Sequence, residues 1–223
     1  RSFCDETKNA SLEELVNENE KYPFLKRVGS VSLDKGGNLK LLRDYFENDV
    51  IVAMKIYLGY TTDDPDSELL NPYYDVALEF DKPVLFHMGK CYPKSNPITV
   101  YPSDVIPVLE KYPDQRFVLC HFGHPLIYDT EEILIKYDNA FTDLSGLMTY
   151  EDTLNGEKEP RLKRVKPVLE RLLNNPKTME KVMYGSDYPL MSLKQYFSII
   201  DSIVPDDMKD KVFYDNAKNF FRL

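Results

Sequence analysis

Residues 117–125 (FVLCHFGHP) constrain the fold of this chain more than any other stretch. The apolar start of this stretch predicts a buried strand, and the glycine and proline near its end break regular structure directly after His121. His121 therefore lies at the carboxyl end of a predicted strand, with His124 just beyond it. His87 follows another apolar run in the same way. The chain contains only three histidines, and their placement at strand ends favours a functional site over a purely structural role.

Short apolar runs alternate with longer charged segments of helical periodicity along the chain. Strands are predicted at residues 28–33, 50–57, 83–88, 116–121, 140–144 and 181–185. Helices are predicted at residues 11–22, 38–48, 69–80, 103–112, 131–137, 164–173, 193–203 and 216–221. The charged segment 151–161 is expected to be an exposed loop. This alternation of strands and helices predicts an α/β fold with a parallel sheet, in a single domain over residues 1–223.

Two parallel architectures compete, and the (β/α) TIM-barrel type is favoured. Polar residues recur at the predicted strand ends, and a barrel builds its active site at the carboxyl ends of its strands. A doubly wound open sheet is the alternative, but no GxGxxG or GxxxxGK[ST] motif follows an early strand. A complete barrel has eight strands. The sequence predicts six strands, so we expect the first two barrel strands either to precede Arg1 or to be absent from a shortened protein.

Composition excludes several function classes. A formal net charge of −9 argues against nucleic acid or anionic membrane surfaces as the main partner. No apolar run approaches the roughly 18 residues that a membrane span needs. The three cysteines are widely spaced and form no CxxC motif, which indicates reduced thiols and a cytoplasmic location. A small molecule is therefore the expected partner, and the sequence leaves open whether the chain forms a homo-oligomer.

Five strand-end residues carry the candidate chemistry: Lys55, His87, His121, Asp143 and Asp187. In a barrel they would converge on one mouth, where imidazole and carboxylate suit a divalent metal such as Zn²⁺. A bound metal lowers the pKa of its water, and a neighbouring imidazole or carboxylate can then move the proton. Structural roles compete with this interpretation, since Asp187 can cap a turn and Lys55 can extend from the apolar strand toward water.

The chain resembles the amidohydrolase superfamily, and most closely the branch called amidohydrolase family 2. The resemblance covers nearly the whole chain. It rests on the segments VAMKIYLGY (52–60), TDDPDSELLNPYYDVALEFDKPVLFHMG (62–89), FVLCHFGHP (117–125), AFTDLSG (140–146), VMYGSDYPL (182–190) and DNAKNFFRL (215–223). It implies a TIM barrel of the metal-dependent hydrolase and decarboxylase kind.

The resemblance also implies a role for each strand-end residue. His87 matches the ligand after the family's fifth barrel strand, and His121 matches a second ligand or the catalytic histidine after the sixth. Asp187 matches a metal ligand that accepts the proton of the attacking water. Lys55 matches a lysine that faces the substrate or, if carboxylated, a metal. Asp143 matches a supporting position.

One family feature is missing from this chain. Family members carry a His-x-His pair at the end of their first strand, and no such pair occurs here. His124 does not replace it, and we expect His124 to shape the loop at the mouth.

The prediction is a metal-dependent hydrolase that activates water to attack an amide, ester or lactone carbonyl. The alternatives are a metal-dependent decarboxylase of an aromatic or unsaturated acid, a metal-independent lactonase, and a non-catalytic remnant that binds a ligand or partner.

Overall fold

The computed structural model describes residues 12–33, 38–91 and 98–223. Within these ranges the strands are β1 (Val28–Val31), β2 (Ala53–Ile56), β3 (Val84–Phe86), β4 (Gly89–Lys90), β5 (Thr99–Val100), β6 (Phe117–Leu119), β7 (Ala140–Asp143) and β8 (Val182–Met183). One sheet contains six of them in the order β1-β2-β3-β6-β7-β8, and all its neighbouring pairs are parallel. The predicted parallel α/β fold is therefore confirmed. The antiparallel pair β4-β5 was not predicted.

Helices connect the strands and cover the sheet. They are α1 (Leu12–Lys21), α2 (Leu39–Glu47), α3 (Asn71–Glu79), α4 (Ile106–Lys111), α5 (Ile127–Lys136), α6 (Tyr150–Leu154), α7 (Lys158–Leu173), α8 (Leu193–Asp201) and α9 (Asn216–Phe221). Each predicted helix has a counterpart, although residue 11, at the start of the first predicted helix, lies outside the described residues. None of the helices in the described ranges is long and apolar enough to cross a membrane.

The prediction that residues 151–161 form a loop was wrong, although most of the segment is exposed as predicted. Most of this segment lies in α6 and in the first turns of α7. Thr149 caps α6, since its hydroxyl accepts from the backbone N–H of Asp152 while the Asp152 carboxylate accepts from the backbone N–H of Thr149. Arg161 then donates to this carboxylate and to the carbonyl of Leu147. The high charge of this segment therefore accompanies a helix, because the capping hydrogen bonds stabilise the helical backbone.

The two faces of the sheet pack against different partners. Alternate residues of a strand point to opposite faces, and one set joins the large core beneath the helices. The other set, which includes Leu85, Val118 and Phe141, forms the inner face of the sheet. It packs against the carboxyl-terminal helix α9, whose Phe220 ring lies 4.5 Å from the ring of Phe141. Arg116, directly before β6, donates to the carbonyl of Phe220. Helix α9 therefore covers the amino-terminal end of this inner face and leaves the carboxyl end to other residues.

The strand register brings the inner-face residues into line at the carboxyl end. Phe86 pairs with Leu119, and Leu119 pairs with Thr142. The residues that follow, His87, Cys120 and Asp143, consequently lie in one row across neighbouring strands. The parallel pairing itself therefore concentrates polar groups at one edge of the sheet.

Candidate active site

A left-handed turn directly after β6 places His121. His121 has φ 64° and Phe122 has φ 52°, values that cost a non-glycine residue about 1–2 kcal/mol each. The turn breaks the alternation of the strand, so the His121 ring joins the inner face on which Cys120 also lies. The backbone N–H of His121 donates to Oδ1 of Asp143 over 3.2 Å. Two unusual backbone conformations side by side, fixed by a neighbouring carboxylate, indicate a functional constraint.

His87 and His121 lie side by side. Their ring centroids are 4.7 Å apart, and their residues are only 7% and 8% exposed. Burial, together with the nearby His121 and Lys55, lowers the pKa of His87 to about 2. Nε2 of His87 is buried and has no hydrogen-bond partner. His87 is therefore a neutral imidazole with a ring nitrogen available to a ligand.

Asp143 and Ser145 hold the other side of the His121 ring. Ser145 Oγ lies 2.8 Å from Nδ1 of His121 and forms a short hydrogen bond with Oδ1 of Asp143. Burial alone would raise the pKa of Asp143, but His121, the Ser145 hydroxyl and Lys55 hold it below its usual range. Burial also lowers the pKa of His121, against the opposing effect of Asp143. The result is an ionised carboxylate, a bridging hydroxyl and a neutral imidazole in sequence.

Lys55 and Asp187 complete the charged part of the site. Burial alone would lower the pKa of the Lys55 ammonium, but the surrounding acidic groups, with the carboxylates of Asp143 and Asp187 among them, raise it above its ordinary value. Lys55 therefore keeps its proton and is a cation rather than a base. Asp187, with φ 50° just after β8, is near enough to act electrostatically on both Lys55 and His121.

The structure therefore brings the five predicted strand-end residues to one edge, while their individual roles stay predictions. His124 lies in the loop after β6, where its carbonyl accepts from the backbone N–H of Lys90 over 3.0 Å. Burial lowers the pKa of His124 to about 4, and Arg161 and Arg164 act in the same direction. The carbonyl contact joins the loop after β6 to β4, in keeping with the loop-shaping role expected for His124.

Ser145 is the site residue that the sequence interpretation missed. The signal is the spacing of Asp143 and Ser145 in the segment AFTDLSG, because an aspartate commonly accepts from the backbone N–H two residues later. This contact is present at 2.9 Å. Cys120 also belongs to the site, since its thiol faces Lys55 and Asp143, but burial raises its pKa and it is not a nucleophile.

The donor atoms for a metal are incomplete in the described part of the chain. Across residues 12–33, 38–91 and 98–223, no group of three or more His, Cys, Asp or Glu side chains is placed to hold a metal ion. The adjacent imidazoles of His87 and His121, with the unpartnered Nε2, are a partial fit. The predicted zinc site therefore stays a prediction.

A parallel sheet with buried imidazoles, carboxylates and an ammonium at its carboxyl edge is typical of barrel enzymes that act on small molecules. The chain belongs to the amidohydrolase family, whose model matches residues 1–223. The predicted family is therefore confirmed. A search of curated proteins gave no match.

Solved structures of the TIM-barrel kind share the fold. An uncharacterised TIM-barrel protein from Bordetella bronchiseptica is 17% identical, with a TM-score of 0.68 over 96% of this chain and 73% of that one. A protein assigned as 2-pyrone-4,6-dicarboxylic acid hydrolase from Acinetobacter baumannii is 14% identical, with a TM-score of 0.67 over 95% and 78%. A 5-carboxyvanillate decarboxylase from Novosphingobium aromaticivorans, solved with manganese, is 17% identical, with a TM-score of 0.65 over 95% and 69%.

Proposed function

We propose that this chain hydrolyses a lactone, amide or ester carbonyl in a small molecule that carries a carboxylate. One observation carries the proposal: the buried imidazole of His121 is hydrogen-bonded through Ser145 to Asp143, beside His87, at the edge where the strands end. A neutral imidazole that is oriented from one side can take a proton from water on the other. The arrangement thus supports general-base chemistry at this edge.

Each charged or polar group has a place in this reaction. His121 takes a proton from water as the water oxygen attacks the carbonyl, and Asp187 is the second candidate acceptor. The proton then passes to the leaving oxygen or nitrogen as the carbonyl–heteroatom bond breaks. The Lys55 ammonium binds the substrate carboxylate, because a charge-assisted hydrogen bond is strong away from bulk water.

The names of two structural relatives support the substrate class. One is assigned to 2-pyrone-4,6-dicarboxylic acid and the other acts on 5-carboxyvanillate, so each name contains a ring with a carboxylate. A buried cation beside the imidazole pair matches that shared chemistry. We therefore expect a carboxylated ring compound rather than a neutral one.

The test is whether the protein opens the ring of 2-pyrone-4,6-dicarboxylate. A second measurement asks whether this activity is lost in Asp187→Asn. Asparagine tolerates a positive φ, so this variant should keep the fold while activity falls by at least about 100-fold. Asp49→Asn is the matched control, since Asp49 also has φ 50° and its side chain is 84% exposed. Wild-type turnover in a folded Asp187→Asn protein would exclude Asp187 as the acceptor and leave that role to His121. Wild-type turnover in a folded His121→Asn protein as well would contradict the proposal.

A metal-dependent form is the second candidate, as a hydrolase or a decarboxylase. The unpartnered Nε2 of His87 favours it, as does the manganese bound to the decarboxylase relative. His87 and His121 would be the contribution of this chain to a divalent site for Zn²⁺ or Mn²⁺. Metal analysis before and after chelation tests this candidate, and His87→Gln should lower the metal content. Release of CO₂ from 5-carboxyvanillate would indicate decarboxylation instead of hydrolysis.

A further inference from the structure

We propose that Ser145 is a positioning residue for His121: its hydroxyl holds the imidazole proton on Nδ1 and so leaves the lone pair on Nε2 for chemistry. The inference rests on the proposed function, in which His121 accepts a proton from water. It assigns a specific task to a serine that neither strand periodicity nor the predicted ligand set includes.

The count of hydrogens determines the direction of the hydrogen bonds. Asp143 is a carboxylate at neutral pH and can only accept. The Ser145 hydroxyl has a single hydrogen, which it donates to Oδ1 of Asp143. Its Oγ must then accept in the 2.8 Å contact, so Nδ1 of His121 carries the proton. A neutral imidazole has one ring proton, and Nε2 is consequently the unprotonated nitrogen.

The contacts around Ser145 keep this arrangement rigid. Oδ1 of Asp143 accepts from the backbone N–H groups of Ser145 and His121, over 2.9 and 3.2 Å, in addition to the hydroxyl. Ser145 is only 7% exposed, and a Cβ added at Gly185 would lie 2.9 Å from its Cβ. The loop after β8 therefore packs closely on Ser145.

A turn-forming role alone does not explain the hydroxyl. The turn after β7 is closed by the backbone N–H of Ser145, and an alanine at this position would keep that bond. The hydroxyl adds the link to Nδ1, which contributes nothing to closing the turn. Ser145→Ala consequently separates positioning of the imidazole from the structure of the loop.

The experiment is long-range ¹H–¹⁵N correlation of the histidine rings at neutral pH, in protein as purified. The spectra of His87→Gln and His124→Gln assign the His121 resonances. We expect wild-type His121 to be protonated on Nδ1. In Ser145→Ala the Nδ1 proton should exchange with solvent about five- to ten-fold faster, the factor for loss of one typical hydrogen bond, or the Nε2–H tautomer should appear.

Ser202→Ala is the control, because it removes the hydroxyl of an exposed serine that donates to the carbonyl of Ile199 on α8. Its His121 resonances should equal those of the wild type. A wild-type proton on Nε2, or an unchanged His121 signal in Ser145→Ala, would overturn the inference. The wild-type spectrum decides the tautomer even if the variant fails to fold. Because the spectrum needs no substrate, a confirmed tautomer without turnover would instead refute the proposed function.

Discussion

Gly146→Ala tests how closely the loop after β7 is fitted to His121. Gly146 has φ 62°, and a Cβ added there would lie 2.6 Å from Nδ1 of His121 and 3.0 Å from its Cγ. An alanine in this conformation costs about 1–2 kcal/mol in backbone strain. Overpacking against the buried ring adds about 1–3 kcal/mol. The free energy of unfolding should therefore fall by about 2–5 kcal/mol in total.

Gly156→Ala separates the two contributions. Gly156 has φ 76°, and a Cβ added there meets no atom within 4 Å. Only the strain of about 1–2 kcal/mol remains at this position. Urea unfolding of both variants measures the difference, and each kcal/mol corresponds to about 2–4 °C in Tm for a chain of this size. Equal destabilisation of the two variants would show that His121 does not limit the space at Gly146.

Two further predictions concern stability. The folded pKa of His87 is about 2, well below the usual value, so the unfolded state binds more protons and stability falls as the pH drops below about 6.5. Between pH 7.5 and 5.5 this histidine should account for a loss of about 1.4 kcal/mol, measured as a smaller loss in His87→Gln than in wild type; equal losses would contradict a neutral buried ring. Phe220→Ala should cost about 3–5 kcal/mol in urea unfolding because Phe220 is 4% exposed against the inner face. Leu154→Ala, at a position that is 68% exposed, should change stability by about 0.5 kcal/mol or less, and a similar value for Phe220→Ala would show that α9 does not seal the sheet.

Much of the fold was predictable because its signals are local. The apolar runs that precede His87 and His121 identified β3 and β6, and the helical spacing of residues 216–221 matched α9 from end to end. The charge of segment 151–161 predicts a loop, whereas the cap at Thr149 begins a helix there. Periodicity therefore identified the elements, while capping decided where helices begin.

The sequence by itself determined that polar side chains would gather at one sheet edge, because parallel strands of similar length present their carboxyl ends on the same side. Only the tertiary structure decided how they meet. The left-handed turn at His121 reverses the expected alternation, and the loop after β7 then brings Ser145 to the imidazole. The turn at His121 has no local signal, since it depends on a hydrogen bond to Asp143 on the neighbouring strand. The spacing of Asp143 and Ser145 indicates a local turn but not the contact of Ser145 with His121.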